Sequence, residues 1–526
     1  MAAEYVFTID LGTSGPKVAL FTLTGEYVDG EFSPVDLVIL QGGGVEQRPQ
    51  DWWSGIVEAS RRMWQRCDEI ERSQVMAVSV TSQWSGTVPV DANHEAVHNA
   101  IIWMDSRGSA QTRDLVRGRI NVEGYDPLKL KKWIQLTGGI PSHSGKDTLC
   151  HMLFVEQALP EVAKKTAMYL EPKDYLNARL TGRAVSTYDT MVLTWLTDNR
   201  VWDRIDYVPE LLSMAGIDRS KLPDMLAATD IVGDVLESVA TELGIPAGIP
   251  VIGGTPDVQS ATIGSGAVRD YEAHLYIGTS SWLTCHVPKK KTDLFAGVAA
   301  LPSPLPGKYF VADEQETAGA TLNWLRDNVL YPTDALGGAG APEDAFARID
   351  ALAAASPAGS NGVIFTPWLN GERTPVDDHT VRAGWFNLSL GTTRADQVRA
   401  VLEGVAFNSR WMLGVVEKFC GREFPWLNII GGGGRSDLWC QIFADVMNRP
   451  IRQVENPIRA NARGAALLAG IALGRITVDE IAEQTAVTAT FTPNPEHRAL
   501  YDSMYDAFSS IYKSNKGMYR RLNHHL

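Results

Sequence analysis

The chain is sparing with the residues that mark secreted, membrane-bound or nucleic-acid-binding proteins. It has five cysteines in 526 residues, Cys67, Cys150, Cys285, Cys420 and Cys440, lying far apart and without a CxxC pair. That odd, scattered set reads as the reduced thiols of a cytoplasmic protein, not as a disulfide framework. No apolar stretch approaches the ~20 residues of a membrane span. The first residues, MAAEYVFTID, lack the basic region and long apolar core of a signal peptide, so no membrane partner is expected. Lys/Arg-rich blocks are missing and the net charge is -14, which argues against nucleic acid as the main partner. There is also no heptad run and no low-complexity tail. What is present is an ordinary globular mixture, 44% hydrophobic and 21% charged, long enough for two or more domains with sizeable cores.

Apolar strand-like runs alternate with helical patterns, which predicts an α/β class. The expected strands are 5–9, 18–23, 76–82, 87–91, 251–253, 274–278, 282–287, 363–367 and 427–431, and the expected helices 51–67, 173–182, 395–419, 437–447 and 463–474. The first two strands, joined through IDLGTSGPK, predict an antiparallel pair, and HLYIGTSSWLTCHV predicts another turned through the same Gly-Thr-Ser. Two copies of one unusual hairpin half a chain apart predict two related domains, divided near GSGAVRD at 264–270, where Gly264 and Gly266 would supply hinge freedom. The division is set at 1–265 and 266–526. The Ala/Pro/Gly-rich stretch 332–360 reads as a surface excursion around a short helix.

Small residues in a tight turn let backbone N–H groups point into one space, an anion nest suited to phosphate oxygens. At the first nest, Gly12 permits the turn, Thr13 and Ser14 add hydroxyl donors, and Lys17 would neutralise a phosphate. Asp10, just before it, repels phosphate unless a divalent cation lies between them. The second nest, Gly278, Thr279 and Ser280, has no such acid. Each loop alone is also readable as an ordinary hairpin turn; two nests across a cleft grip successive phosphates. A third small-residue cluster, IIGGGGRSDLW, follows a strand and opens a helix, with Gly432, Gly433 and Ser436 placed to approach a nucleotide. It is not GxGxxG and also reads as a tight strand-to-helix turn. In GIPVIGGTPDVQSATIGSG a strand runs into glycines and then Asp257, which suits a general base for a hydroxyl and equally an N-cap for the helix that follows.

Residues 94–98 read HEAVH, a literal match to a zinc-protease pattern. That chemistry needs a helix, and the preceding Asp91-Ala92-Asn93 is a turn signal between two strand-like runs, so a hairpin is expected. The Trp pair in DWW (51–53) is assigned to the core.

In combination these motifs resemble the FGGY class of sugar kinases, within the sugar kinase, chaperone and actin ATPase superfamily, and are most similar to the xylulose kinases. IDLGTSGPK resembles the first phosphate loop, YIGTSSW the second, and IIGGGGRSDLWCQIFADVMNRPI the adenosine-side loop and its helix. LEPKDYLNARLTG, FTPWLNGERTP, VRAVLEGVAFNSR and ARGAALLAGIALG also follow that family's pattern, which covers about residues 5–475. The resemblance implies two actin-like, ribonuclease H-like domains with ATP in the cleft. Asp10 would hold hydrated Mg²⁺, with Asp257 beside the same ion. Asp257 would be the base that deprotonates a sugar or polyol hydroxyl. The acceptor would be bound by Gln83, Trp84, Ser85, Asp105 and Asp257. Kinases of this class are often dimers, so a homodimer is a further expectation.

The departures from that pattern fall on the acceptor side. Gln83-Trp84-Ser85-Gly86 stands where xylulose kinases carry Gln-Met-His-Gly. Val258 replaces an Asn or Gln after the base, His151 stands at a Lys position with Phe154 at a Trp position, and Met104 stands at a common Asn. Lost polar contacts matter because a site built for hydroxyls discriminates through them. The nucleotide machinery therefore reads as intact and the acceptor pocket as rebuilt, with Trp84 and Val258 suiting a less hydroxylated face. Three readings stay open: a xylulose kinase, a kinase for another acceptor such as a modified polyol or glycoside, and a non-catalytic ATP-binding sensor or chaperone-like protein.

Overall fold

The computed structural model describes residues 3–523 apart from 68 and 295. Its first sheet contains β1 (Tyr5–Gly12), β2 (Gly15–Thr22), β3 (Tyr27–Phe32), β4 (Val75–Ser82), β5 (Ile231–Asp234) and β6 (Pro250–Pro256), in the order β5-β6-β4-β1-β2-β3. β1 pairs antiparallel with β2 and parallel with β4, which is in turn parallel to β6. The second sheet holds β7 (Ala273–Ile277), β8 (Ser281–Val287), β9 (Thr292–Asp293), β10 (Val298–Pro302), β11 (Tyr309–Gln315), β12 (Leu427–Ile430), β13 (Ile451–Val454) and β14 (Val487–Phe491), ordered β9-β10-β11-β8-β7-β12-β13-β14. Within it, β11-β8-β7-β12-β13 repeats the order and directions of β3-β2-β1-β4-β6. The expected duplication is therefore present strand by strand.

Helices cover these sheets for reasons visible in their spacing. In α1 (Pro49–Trp64), Pro49 sits in the first turn, and Trp52, Trp53, Ile56, Ala59 and Met63 recur at helical spacing on the buried face. Both DWW tryptophans are thus core, packed with Phe7, Ile9, Val18 and Val78. α2 (Thr148–Ala158) and α3 (Pro172–Thr181) are two further helices of that domain. α4 (Asp257–Gly264) follows β6 directly. In the second domain α5 (Arg394–Cys420) starts in a Thr393–Asp396 capping box and stops at Gly421 in the left-handed conformation. α6 is Asp437–Met447, α7 Ala460–Ala472, and α8 (Arg498–Asn523) a long C-terminal helix with no counterpart in the expected set.

Two helices cross between the domains. α7 lays Ala462, Ala466 and Ala469 on the first sheet, against Val6, Phe21, Ala77 and Ile252. α4 lays Val258 and Ala261 on the second, against Trp282, Phe310 and Ile430. At the crossing, a Cβ on Gly264 would lie 1.8 Å from the Ala460 carbonyl oxygen, and one on Gly464 1.8 Å from that of Ser260. Gly264 is thus required for close helix packing, where the sequence suggested hinge freedom. The division at 265/266 falls between α4 and β7, and α7 returns from the second half to cover the first sheet.

The HEAVH stretch forms the expected hairpin. The His94 amide donates to the Asp91 carbonyl, the Asp91 amide to the Glu95 carbonyl, and His94 has φ 65°. Its two histidines do not share a helical face.

Candidate active site

Strand register builds the site. Leu11 stands opposite Ser82, and Ser82 opposite Pro256. The residues that follow, Gly12, Gln83 and Asp257, therefore leave the same edge of the first sheet side by side. One sheet edge gathers the first phosphate loop, the acceptor loop and the candidate base from three distant stretches of sequence.

Within the first hairpin Asp10 is the cross-strand partner of Lys17, and their side chains pair at 3.0 Å. Lys17 is raised above the ordinary lysine range, chiefly by the Asp10 charge. The other oxygen, Asp10 Oδ1, is buried without a hydrogen-bond partner. A buried carboxylate oxygen left unpaired is costly, and a divalent cation would satisfy it. Asp257 lies close enough for Asp10 to act on it. Its carboxyl is pushed up to about 7, first by burial and then by the Asp10 charge, against the Val258 amide that donates to Oδ1 at 2.8 Å. The pair fits a cation that would relieve this like-charge repulsion. Among the described residues no three metal-ligating side chains cluster, so phosphates and water would complete a magnesium shell, as that ion prefers. Thr13 and the exposed Ser14 flank this pair at the hairpin turn.

The second nest and the glycine cluster meet across neighbouring parallel strands, with Tyr276 opposite Ile430. The Gly278 and Thr279 carbonyls accept the Gly319 and Ala318 amides at 2.7 and 2.9 Å, which fixes the loop, while Thr279 stays exposed and Ser280 half-buried. Gly431 has φ 86°, and a Cβ there would come 2.5 Å from the Ile277 carbonyl oxygen; one on Gly433 would strike the Ile277 side chain at 2.3 Å. Gly432 is exposed, with open space around a notional Cβ. Ser436 caps α6, its hydroxyl accepting the Trp439 amide at 3.1 Å. Gly433 and Ser436 thus shape this loop, and Gly432 presents it.

The acceptor side departs from the sequence reading. Gln83 is nearly sealed, donating to Gln47 Oε1 at 2.8 Å and accepting the Thr13 hydroxyl at 3.3 Å. Trp84 anchors its indole N–H on the Thr190 carbonyl at 3.0 Å. Ser85 takes a left-handed φ of 59° and spends its hydroxyl proton on the Lys146 carbonyl at 2.8 Å. Asp105 is fully buried. Its Oδ1 accepts the Arg107 amide, and its Oδ2 accepts the Val45 amide and pairs with the Arg107 guanidinium at 2.7 Å. Both oxygens hold the loop in this structure, so neither is free for the acceptor contact expected from the sequence. His151 donates its Nε2–H to the Asp105 carbonyl at 3.2 Å and is lowered to about 4 by burial. Val258 faces the interdomain apolar cluster, so it is not the apolar pocket wall that the sequence suggested.

Five residues went unassigned in the sequence. Trp103 donates to Thr13 Oγ1 at 2.9 Å, and Arg373 stands 6.0 Å above its ring from the other domain. Arg373 pairs with Glu314 and, at 2.8 Å, with Glu316. The fifth, Lys146, is lowered by burial and by Arg373. GERTP was visible as a motif, but only the fold shows that its Arg373 reaches the Trp103 ring, which in turn donates to Thr13.

Residues 5–264 match the FGGY family of carbohydrate kinases, N-terminal domain, and residues 273–473 its C-terminal domain. The chain is 30% identical over 521 residues to a xylulose kinase of Staphylococcus epidermidis, covering 98% of each. It is 26% identical over 527 residues to an autoinducer-2 kinase of Enterobacter, covering 98% of this chain and 95% of the relative. Its fold matches the crystal structure of ligand-bound xylulose kinase from Lactobacillus acidophilus with a TM-score of 0.85 at 23% identity, over 99% of this chain and 100% of that one. The two-domain fold expected from the sugar kinase resemblance is thereby established. Among the described residues, no helix is long and apolar enough to cross a membrane.

Proposed function

Because the chain belongs to the FGGY family of carbohydrate kinases, ATP-dependent phosphotransferases with an alcohol group as acceptor, we propose that Asp257 is its general base and that the acceptor lies between the 83–85 loop and the Trp103–Arg373 closure. The observation that carries this is the placement of Asp257. It leaves the sheet edge beside Gly12 and Gln83, with its carboxyl pushed up to about 7. A base poised near the working pH takes a proton with the least loss of either ionisation or driving force.

The acceptor hydroxyl sits against the Asp257 carboxylate and loses its proton there as its oxygen attacks the γ-phosphorus of ATP. The bond from that phosphorus to the bridging oxygen breaks, and ADP leaves. Backbone amides of Gly12, Thr13 and Ser14 and the exposed Ser14 hydroxyl hold the transferring phosphate from one domain, and the loop of Gly278, Thr279 and Ser280 holds its neighbours from the other, while the Thr13 hydroxyl stays committed to Gln83 and Trp103. Gly432 and Gly433 lie against the nucleoside side. Asp10 and Asp257 would hold a magnesium ion, which would supply neutralisation of the phosphate charge. Phosphoryl transfer needs little beyond such positioning and electrostatics. The Trp103–Thr13 hydrogen bond and the Arg373 cap keep water from competing with the acceptor.

Xylulose is the first candidate acceptor, on the name carried by the Staphylococcus relative. The committed Ser85 hydroxyl, the anchored Trp84 and the charged rim of Lys146, Glu314, Glu316 and Arg373 favour a different acceptor within the same reaction. ADP release from Mg²⁺-ATP across ketoses, polyols, aldoses and sugar acids tests both. One acceptor that stimulates release names the substrate class. A flat panel with measurable ATP binding points to an acceptor outside the panel, such as a modified polyol or glycoside, or to an ATP-binding sensor.

A further inference from the structure

The hairpin of β7 and β8 carries a buried polar chain that the phosphoryl-transfer chemistry does not use. His274 is the cross-strand partner of Thr284, and Tyr276 that of Trp282. Strand periodicity puts all four on one face, the face against α4. Val258 and Thr262, four residues apart on α4, face them in turn.

Four hydrogen bonds link these groups. Trp282 Nε1 lies 3.2 Å from His274 Nε2, and His274 Nδ1 lies 2.5 Å from Thr284 Oγ1. Thr284 Oγ1 is 2.9 Å from Thr262 Oγ1, which is 2.9 Å from the Val258 carbonyl oxygen. His274, Thr262 and Thr284 are fully buried. The direction of every link is fixed from both ends. A carbonyl only accepts, so Thr262 spends its proton on Val258 and must receive from Thr284. Thr284 then has no proton left for His274, and His274 Nδ1–H donates to it. That leaves His274 Nε2 as acceptor for the indole, which only donates. Burial holds His274 neutral, lowered to about 3, which this arrangement requires.

The chain ends on the residue whose amide donates to Asp257 Oδ1 at 2.8 Å. At its other end Trp282 stacks on Tyr276 at 3.7 Å with an interplanar angle of 7°, just ahead of the second phosphate loop. We infer that His274, Thr284 and Thr262 are positioning residues that tie the second phosphate-loop hairpin to the α4 segment bearing Asp257, so that the base is set in place by the domain that grips the nucleotide. The inference rests on Asp257 being the base. Removing one hydroxyl breaks the chain in both directions. Without Thr284 Oγ1, the His274 Nδ1–H loses its acceptor, its ring can turn, and Trp282 loses its own.

The test is steady-state kinetics and the pH profile of Thr284→Val beside Thr284→Ser. Val keeps the shape and drops the hydroxyl; Ser keeps the hydroxyl. Thr284→Val is expected to lower kcat about tenfold while both KM values move less than about twofold. The acid limb of kcat/KM moves up by about half a pH unit as the donor to Asp257 loosens. Thr284→Ser restores both. A folded Thr284→Val enzyme with unchanged kcat and limb overturns the inference. If that variant does not fold, Thr262→Val, which cuts the last two links and leaves the hairpin's own His274–Thr284 and Trp282–His274 bonds in place, is read the same way. Asp257→Asn separates the two readings: loss of transfer there with a normal Thr284→Val sinks the tether alone, whereas an active Asp257→Asn removes the base and the tether together.

Discussion

The two hairpins at the heart of the molecule occupy the same place in the same topology and carry opposite chemistry. In the first, the cross-strand pair behind the Gly-Thr-Ser turn is Asp10 and Lys17, an ion pair at 3.0 Å. In the second it is Tyr276 and Trp282, two stacked rings at 3.7 Å. Two residues earlier, on the same face, the first hairpin has Thr8 opposite Ala19, with the hydroxyl bonded to the Ala19 carbonyl; the second has His274 opposite Thr284 and sends its bonds out to α4. A duplicated fold has thus divided its labour. In the proposed mechanism the first hairpin holds charge where phosphate charge must be met, and the second offers a flat, neutral surface and a connection to Asp257.

Among changes to the two hairpins, the largest effect is expected from removing the charge. Asp10→Ala leaves Lys17 unpaired and lowers Mg²⁺-ATP turnover by about 10²-fold for every acceptor alike, since charge stabilisation of the transferring group is lost; a titration of rate against magnesium for two acceptors checks this. Making the second hairpin resemble the first comes next. Tyr276→Asp places a carboxylate where the charges of Asp257 and Asp10 already reach, so ATP affinity falls and the acid limb of kcat/KM climbs by about half a pH unit or more.

A stability measurement sharpens the same point. Asp257 binds its proton more tightly when folded, held up to about 7 from an ordinary value of 3.8. Between those values the folded protein holds more protons than the unfolded one, so stability falls as pH rises through that window. Asp257→Asn removes the penalty and gains about 2 kcal/mol at pH 8 relative to the parent. The gain fades toward pH 4, as thermal melts without nucleotide would show. The smallest effect is expected from Ser85→His, which alters the ranking of acceptors by a few-fold and leaves ATP affinity in place.

Much of this was legible in the sequence because the phosphate loops are local. An apolar run ending in small residues gives both the strand and the nest, and Asp10, Asp257, Gly278 and Gly432 stood out on that ground alone. The proposed acceptor side was not legible, because Trp103, Lys146, Glu314, Glu316 and Arg373 come from separate segments of two domains, Glu314 from the end of β11, and meet only through the fold. Asp105 shows the opposite failure. An acid in a recognisable stretch suggested acceptor binding, whereas its neighbour Arg107 and the Val45 amide consume both oxygens. Val258 was misjudged because its side chain follows the helix onto the other domain. α8 escaped because it lies beyond the stretch carrying the resemblance, although Arg410 of α5 pairs with its Asp502.

The account stands most directly on Asp257. Purified Asp257→Asn would be compared with the parent for ATP affinity by calorimetry and for single-turnover phosphoryl transfer to the acceptor found in the panel. The account predicts ATP affinity within about threefold of the parent and transfer slowed by about 10³-fold, as expected for loss of a positioned base. Transfer at the parental rate with normal ATP binding would contradict it.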